Sequence, residues 1–434
     1  MRSLKHSYGR RDFLVHAAAT GGILSVADAL AAARSLVSPN ERLNVGVVGV
    51  ANRGGANLAG VGHENVVALC DVDAAHLAKA KSLFPHAATY SDFRVMLEKE
   101  PKLDAVVVST PDHTHAAIAA AAMKAKKHVY CEKPLTKTVN ETRLLRELAV
   151  ANKLVTQMGT QIHAGGNYRR VVEAVQSGVL GAIGRCEVFF SGRPPVFKGT
   201  APSAAPKGLD YDLWLGPIAE CPYVKEQSHF NWRYWWRFGN GVLGDFGCHF
   251  MDLAFWALGL EAPAAITATG AKDHDGENDV PGKQKVVYEF AAKGAQPAIT
   301  LVWRHGGEKP DEAKHFPKYS NGVLFIGEKG MLCADYSKHD FTPAENAKAM
   351  KIERPIPQSI GHHKEWLAAI RSGGRSTCDF SYSGALTETV LLGVAAYLGA
   401  AGERLTWDPA ALTLGGSKAA SDLLSAPRRA GWEL

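Results

Sequence analysis

Short β-branched runs alternate with helical stretches from Leu43 onward. Leu43 to Val48 predicts a strand, Gly54 to Val61 a helix, Val66 to Cys70 a strand and Ala74 to Leu83 a helix. The run Ala105-Val106-Val107-Val108, a helix through Ala116 to Ala125 and the strand His128 to Cys131 continue the series. Near-continuous apolar strands separated by helices imply a parallel sheet covered on both faces. A Thr138-x-x-Glu141 capping box then opens a helix to about Asn152, and Leu154 to Met158 closes the sheet.

Beyond Thr160 the texture changes. A helix from Tyr168 to Gln176 leads to the strand-like Arg185 to Phe190, then to a Pro- and Gly-rich excursion from Gly192 to Pro222. An aromatic cluster follows at Trp232, Tyr234, Trp235 and Trp236. Strand-like runs recur at Ala265 to Thr269, Lys285 to Phe290, Ile299 to Trp303 and Val323 to Ile326, which predicts a second, largely antiparallel sheet. Helices near Lys364 to Ile370 and Leu386 to Leu398 are expected to pack back against the first domain or that sheet. The fold class is therefore α/β, with a doubly wound parallel sheet over residues 40–160 and an α+β domain over residues 161–434.

Composition changes this picture mainly at the N-terminus. Arg10 and Arg11 lead Asp12-Phe13-Leu14 and a short apolar stretch broken by glycines, with small residues around Ala29-Leu30-Ala31. That is the layout of a twin-arginine export signal over residues 1–33, expected to be cleaved and to leave no stable membrane insertion. A periplasmic or otherwise exported location follows as an expectation. The formal charge is +6, and no basic stripe interleaved with aromatics appears, so no nucleic-acid partner is read from it. Seven cysteines lie scattered without paired spacing, which speaks against a disulfide framework or a metal site and for buried small hydrophobes.

Candidate chemistry begins at Gly49-x-Ala51-x-x-Gly54, between the first strand and first helix. A glycine loop there lets backbone amides and a helix N-terminus approach a pyrophosphate, as in a Rossmann nucleotide-binding domain. Ala51 replaces the middle glycine of that fingerprint, and Asn52 lies in the same turn. Asp71 closes the second strand 22 positions after Gly49, where a carboxylate binds a ribose 2′-hydroxyl and repels a 2′-phosphate. The expected cofactor is NAD rather than NADP, with Arg53 as the feature pointing the other way. An exported enzyme must load such a cofactor before crossing the membrane and hold it afterwards.

Cys131-Glu132-Lys133-Pro134 follows a strand, so Lys133 emerges at the carboxyl edge of the sheet. Together with Thr110-Pro111, His115 and Gly244-Asp245-x-Gly247-x-His249-x-x-Asp252, this segment resembles the Gfo/Idh/MocA family of sugar and cyclitol oxidoreductases, over about Asn44 to Trp407. The residues also make chemical sense without the family. Oxidising a secondary alcohol needs a base at the oxygen and a cation to stabilise the developing alkoxide. Asp245 and His249 share a helix face, one turn apart. His249 is assigned as acid/base, Lys133 as the hydroxyl-binding cation and Asp245 as the orienter of substrate or histidine; the resemblance supports the three positions and leaves open which of Lys133 and His249 takes the proton. Thr110, Pro111, His115, Glu132 and Gln161 are placed with the cofactor, His115 bordering the nicotinamide. His163, Tyr168, Trp232 and Arg233 are placed with the substrate, although the tryptophans equally suit a second-domain core.

Three functions fit. The first is oxidation of a sugar, glycoside or cyclitol by a tightly held nicotinamide cofactor. The second is a redox-neutral glycoside hydrolase that uses transient ring oxidation and elimination, with Tyr168 or His163 as the further base. The third is a non-enzymatic binding protein. A homo-oligomer is expected, because the second sheet has a face free to associate.

Overall fold

The computed structural model describes residues 41–353 and 355–434, so the twin-arginine segment lies outside the described residues. The first unit runs β1 (Asn44–Val48), α1 (Arg53–Val61), β2 (Asn65–Cys70), α2 (Ala74–Leu83), β3 (Ala88–Tyr90) and α3 (Phe93–Lys99). It continues through β4 (Ala105–Val108), α4 (Asp112–Lys124), β5 (His128–Cys131), α5 (Val139–Ala151) and β6 (Thr156–Met158). All adjacent strands pair in parallel in the order β3-β2-β1-β4-β5-β6. The order reverses between β1 and β4, which opens a crevice at the carboxyl edge.

Strands β1, β4 and β5 bury nearly every side chain because helices cover both faces. The expected capping box opens α5, with the Glu141 carboxylate accepting the Thr138 backbone N–H at 3.0 Å. Two elements of this first unit escaped the sequence reading, the three-residue β3 and the two-turn α3. Helix α4 begins at Asp112 rather than near Ala116, since Asp112, His113, Thr114 and His115 are polar yet buried.

After helix α6 (Gly166–Gln176) comes β7 (Ile183–Phe190), then the small hairpin of β8 (Pro202–Ser203) and β9 (Tyr223–Val224). Helix α7 (Gly241–Leu258) follows, ending where Gly259 takes a left-handed φ of 59° and returns its N–H to the Phe255 carbonyl. Strands β10 (Ala265–Ala271), β11 (Lys283–Phe290), β12 (Ile299–His305), β13 (Gly322–Gly327), β14 (Gly330–Ala334) and β15 (His339–Thr342) lead to two helices. These are α8 (His362–Ser372) and α9 (Phe380–Ala400), before the closing strands β16 (Arg404–Asp408) and β17 (Thr413–Gly415). The nine strands run β15-β14-β13-β7-β12-β11-β10-β16-β17, antiparallel except for β7 with β12.

Helix α9 is long and apolar enough to cross a bilayer, but most of it is buried between α5, α7 and β10, as a core helix is. Asp379 caps it, accepting the N–H groups of Ser381 and Tyr382. One continuous apolar core runs from the first sheet through α7 and α9 into the second, which makes the crevice between the sheets a rigid place for chemistry. The seven cysteines are all unpaired, six of them buried.

Candidate active site

The nucleotide loop is shaped by contacts that forbid side chains. Gly49 has a φ of 81°, and a Cβ there would stand 2.6 Å from the Ser109 carbonyl oxygen. A Cβ at Gly54 would collide with the Gly49 carbonyl oxygen. Gly49, Ala51 and Asn52 form one wall of a cleft whose opposite wall is Thr110 and Pro111. Trp214, His229 and Trp432 reach over its far rim from outside the parallel sheet. This cradle fits a dinucleotide: a tight loop closed by Gly49 and Gly54, a helix N-terminus and aromatic walls.

Asp71 borders the cleft. Its Oδ2 accepts the Val50 N–H at 2.9 Å and its Oδ1 the Asp73 N–H at 3.0 Å, while burial raises its pKa. Arg53 lies elsewhere. Its Nε donates to Glu132 Oε1 at 3.3 Å, and its charge acts on His249, so the guanidinium belongs to the catalytic end and not to the Asp71 end. The one feature favouring a 2′-phosphate is thereby removed.

Glu132 and Gln161 have inward roles. The Glu132 carboxylate, 5 % exposed, accepts from Arg53, from Asn57 Nδ2 at 2.9 Å and from Gln161 Nε2 at 2.7 Å. Gln161 Nε2 also donates to the Tyr130 hydroxyl. These groups tie α1 to the end of β5. His115 is buried, with its two ring nitrogens 2.9 Å from the Pro134 carbonyl and 2.8 Å from the Thr110 carbonyl. It braces the loop before α4 against the turn carrying Lys133.

At the carboxyl edge, Lys133 Nζ lies 2.5 Å from both the carbonyl oxygen and Oδ1 of Asp245. Arg233 Nε donates to the same Oδ1 at 3.2 Å. Burial pushes the Asp245 pKa up, but the charges of Lys133 and Arg233 outweigh it and hold the carboxyl well below its ordinary range. One turn on, His249 is driven well below the usual imidazole value by burial first and the Lys133 charge second. Its Nδ1 is buried without a hydrogen-bond partner. An ammonium, a carboxylate and a neutral imidazole therefore converge from β5 and α7. The Lys133 ammonium has three N–H groups and spends two on Asp245, so one remains for a substrate oxygen.

The substrate expectations divide. Arg233 joins the cluster, with its guanidinium 4.3 Å above the Trp232 ring. Trp232 itself is 4 % exposed and packs in an aromatic core with Trp214, Trp235 and Phe238, a correction to its role as a substrate platform. Tyr168 is fully buried and donates its hydroxyl to the His249 carbonyl at 3.1 Å, so it steadies α7. His163 is buried too, bonded to Asp252 at 3.0 Å and stacked on Trp256 at 4.0 Å. Neither Tyr168 nor His163 is placed to serve as an open second base.

Two residues at the site escaped the sequence reading. Asp112 is buried within reach of the Lys133 and Arg233 charges, accepts from Asn240 Nδ2 at 3.3 Å, and is pushed up to about 7 by burial. Its position, first in α4 after Thr110-Pro111, was the available signal. Tyr336 lies on the turn after β14, exposed, with its ring 6.4 Å from that of His249. No local motif announces it, because the second sheet alone brings it there.

The fold and site define a two-domain, Rossmann-type nucleotide-dependent protein. Comparison with known proteins narrows the class. The model of the Gfo/Idh/MocA oxidoreductase family, NAD-binding Rossmann fold, matches residues 43–160, and that of the family's C-terminal alpha/beta domain matches residues 190–434. The chain belongs to this family. It is 30 % identical over 180 residues to the myo-inositol 2-dehydrogenase of Thermotoga maritima, covering 41 % of this chain and 50 % of that one. It is 32 % identical over 191 residues to a glycosyl hydrolase family 109 protein of Solibacter usitatus, covering 40 % and 44 %. The chain thus spans about half or less of the length of these two relatives. An inositol dehydrogenase homolog from Azotobacter vinelandii, solved with NAD+, shares the fold at a TM-score of 0.61 and 18 % identity, over 84 % of this chain and 97 % of that one.

Proposed function

We propose that this protein is an NAD-dependent dehydrogenase of a carbohydrate or cyclitol secondary alcohol. The carrying observation is the convergence of Lys133, Asp245 and His249 at the carboxyl edge of the parallel sheet whose first strand carries the nucleotide loop. Bound NAD supplies a hydride acceptor. The remaining N–H of Lys133 holds the substrate hydroxyl, and His249, kept neutral, takes its proton. Asp245 fixes the ammonium and balances its charge. The relatives named for inositol support a polyhydroxylated ring as substrate. Nicotinamide absorbance measured with a panel of sugars, glycosides and cyclitols tests the reading; a protein carrying NAD that reacts with none of them overturns it.

The likeness to a glycosyl hydrolase family 109 protein favours a second reading, redox-neutral glycoside cleavage. It needs a base on the ring besides His249; Tyr336 lies beside His249, but burial and the Asp245 and Asp252 charges raise its pKa and favour the protonated phenol, so this reading is the weaker of the two. Solvent deuterium at the ring carbon next to the oxidised one marks this route, and products free of deuterium exclude it.

The protein is exported through the twin-arginine route in this reading, carrying NAD loaded beforehand. The Trp214, His229 and Trp432 rim supports a retained cofactor. Denaturing protein recovered from the periplasm and weighing the released nucleotide tests both points; a nucleotide-free exported protein overturns the retention.

A further inference from the structure

We propose that Asp73, His76 and His229 form a transition-metal site, with Zn2+ the fitting ion, at the rim of the nucleotide cleft. One ring nitrogen of each histidine and a carboxylate oxygen of Asp73 lie within 4.8 Å of one another. His229 Nε2 stands 3.1 Å from Asp73 Oδ2, and the two imidazoles lie with centroids 4.9 Å apart. Donors about 2.0–2.2 Å from a tetrahedral Zn2+ are about 3.4 Å from each other, so a small rotation of side chains closes the site. Two neutral imidazoles and one carboxylate are also a donor set that Zn2+ takes with a fourth position open to water.

The scaffold is already set. Asp73 Oδ1 accepts the Ala75 N–H at 2.8 Å as the cap of α2, which aims the other oxygen outward. Asp71 Oδ1 lies 3.9 Å from His76 Nδ1, adding a second carboxylate beside that ring. The Ala74 N–H donates to the Gly208 carbonyl and the Asp210 N–H to the Val72 carbonyl, both at 2.9 Å, so the segment leading toward His229 is held against the parallel sheet. All three residues are partly exposed, leaving an entry path for an ion. The metal would fasten the loop bearing His229 to the N-terminus of α2, closing the cleft beside Asp71.

Among the described residues one other group has metal-ligand geometry, His163, Asp252 and Cys378. There the His163 ring and the Tyr382 hydroxyl already satisfy Asp252, and burial holds the Cys378 thiol strongly protonated, so it carries no comparable claim.

The test uses the full protein as purified with its nucleotide, stripped of metal by chelator and titrated with Zn2+ alone by calorimetry. One equivalent per chain is expected, and Co2+ in its place should give the intense visible bands of four-coordinate cobalt. His229→Ala and His76→Ala should each weaken Zn2+ at least tenfold, whereas His86→Ala on the surface should leave it unchanged. Asp73→Asn, which keeps the helix cap, separates loss of a ligand from loss of folding and should weaken binding as well. No stoichiometric binding to the wild type, or an affinity unaltered in a His76→Ala, His229→Ala double variant, overturns the proposal.

Discussion

At the residue scale the chemistry rests on how Asp245 is shared. Its Oδ1 receives both Lys133 and Arg233, so neither cation stands unpaired in a poorly solvated pocket. Replacing Lys133 with Met removes the group that grips the substrate oxygen and leaves the nucleotide cleft intact. Turnover should fall about 100- to 1000-fold while bound NAD, measured after denaturation, stays constant. His249 sets the pH behaviour. Because its pKa lies well below 6.5, the base is already neutral at pH 7, and lowering the pH to 6 should not cost activity through this group. A kcat/KM profile that falls with a midpoint near 6.5 and is abolished in His249→Asn would contradict this assignment.

Asp112 makes a stability prediction with a definite sign. Its folded pKa of about 7 exceeds the ordinary 3.8, so between those values the folded state holds the extra proton. Stability therefore falls as pH rises through that window and stays lower above it. Asp112→Asn keeps the size of the group and removes its ionisation. Chemical denaturation from pH 4 to 8 should show a flatter slope in the variant than in the wild type.

At the element scale the loop between β1 and α1 is the most demanding piece of backbone. Gly49 adopts φ 81° and stands so close to the Ser109 carbonyl that alanine must both strain the backbone and displace β4. Gly49→Ala should lower stability by about 1–3 kcal/mol and abolish NAD retention, read as the loss of the melting-temperature shift on adding NAD. Helix α9 tests the core instead. Leu392 is fully buried there, and its truncation to alanine should cost about 2–5 kcal/mol without changing the cofactor content of the folded fraction. The alternating runs from β1 to β5 were readable because a strand buried on both faces must be apolar throughout. Strand β3 and helix α3 were not, since three residues and two turns are too short to show a period. The start of α4 was missed for another reason: its polar residues are buried against backbone partners and neighbouring side chains that the local pattern does not contain.

At the scale of the molecule, the cleft belongs to both units. Its glycine wall comes from the parallel sheet, while Trp214, His229 and Trp432 come from segments far along the chain. Trp432 is further held by Arg94, whose guanidinium lies 4.7 Å above its ring. Trp432→Ala should speed NAD dissociation in stopped-flow displacement while leaving the chemical step unchanged; an unaltered release rate would mean that the rim does not retain the nucleotide. The sequence by itself carried the alternation of the longer strands and helices, the nucleotide loop with Asp71, and Lys133, Asp245 and His249 as candidates, because each is written in local spacing or in a short motif. Only the tertiary structure decided which partners Glu132, Gln161 and His115 meet, that Tyr168 and Trp232 are buried, and that Asp112 and Tyr336 come up to the site. The physical reason is that a side chain's role depends on which partners satisfy its polar atoms, and those partners are brought together by the packing of two sheets around α7 and α9.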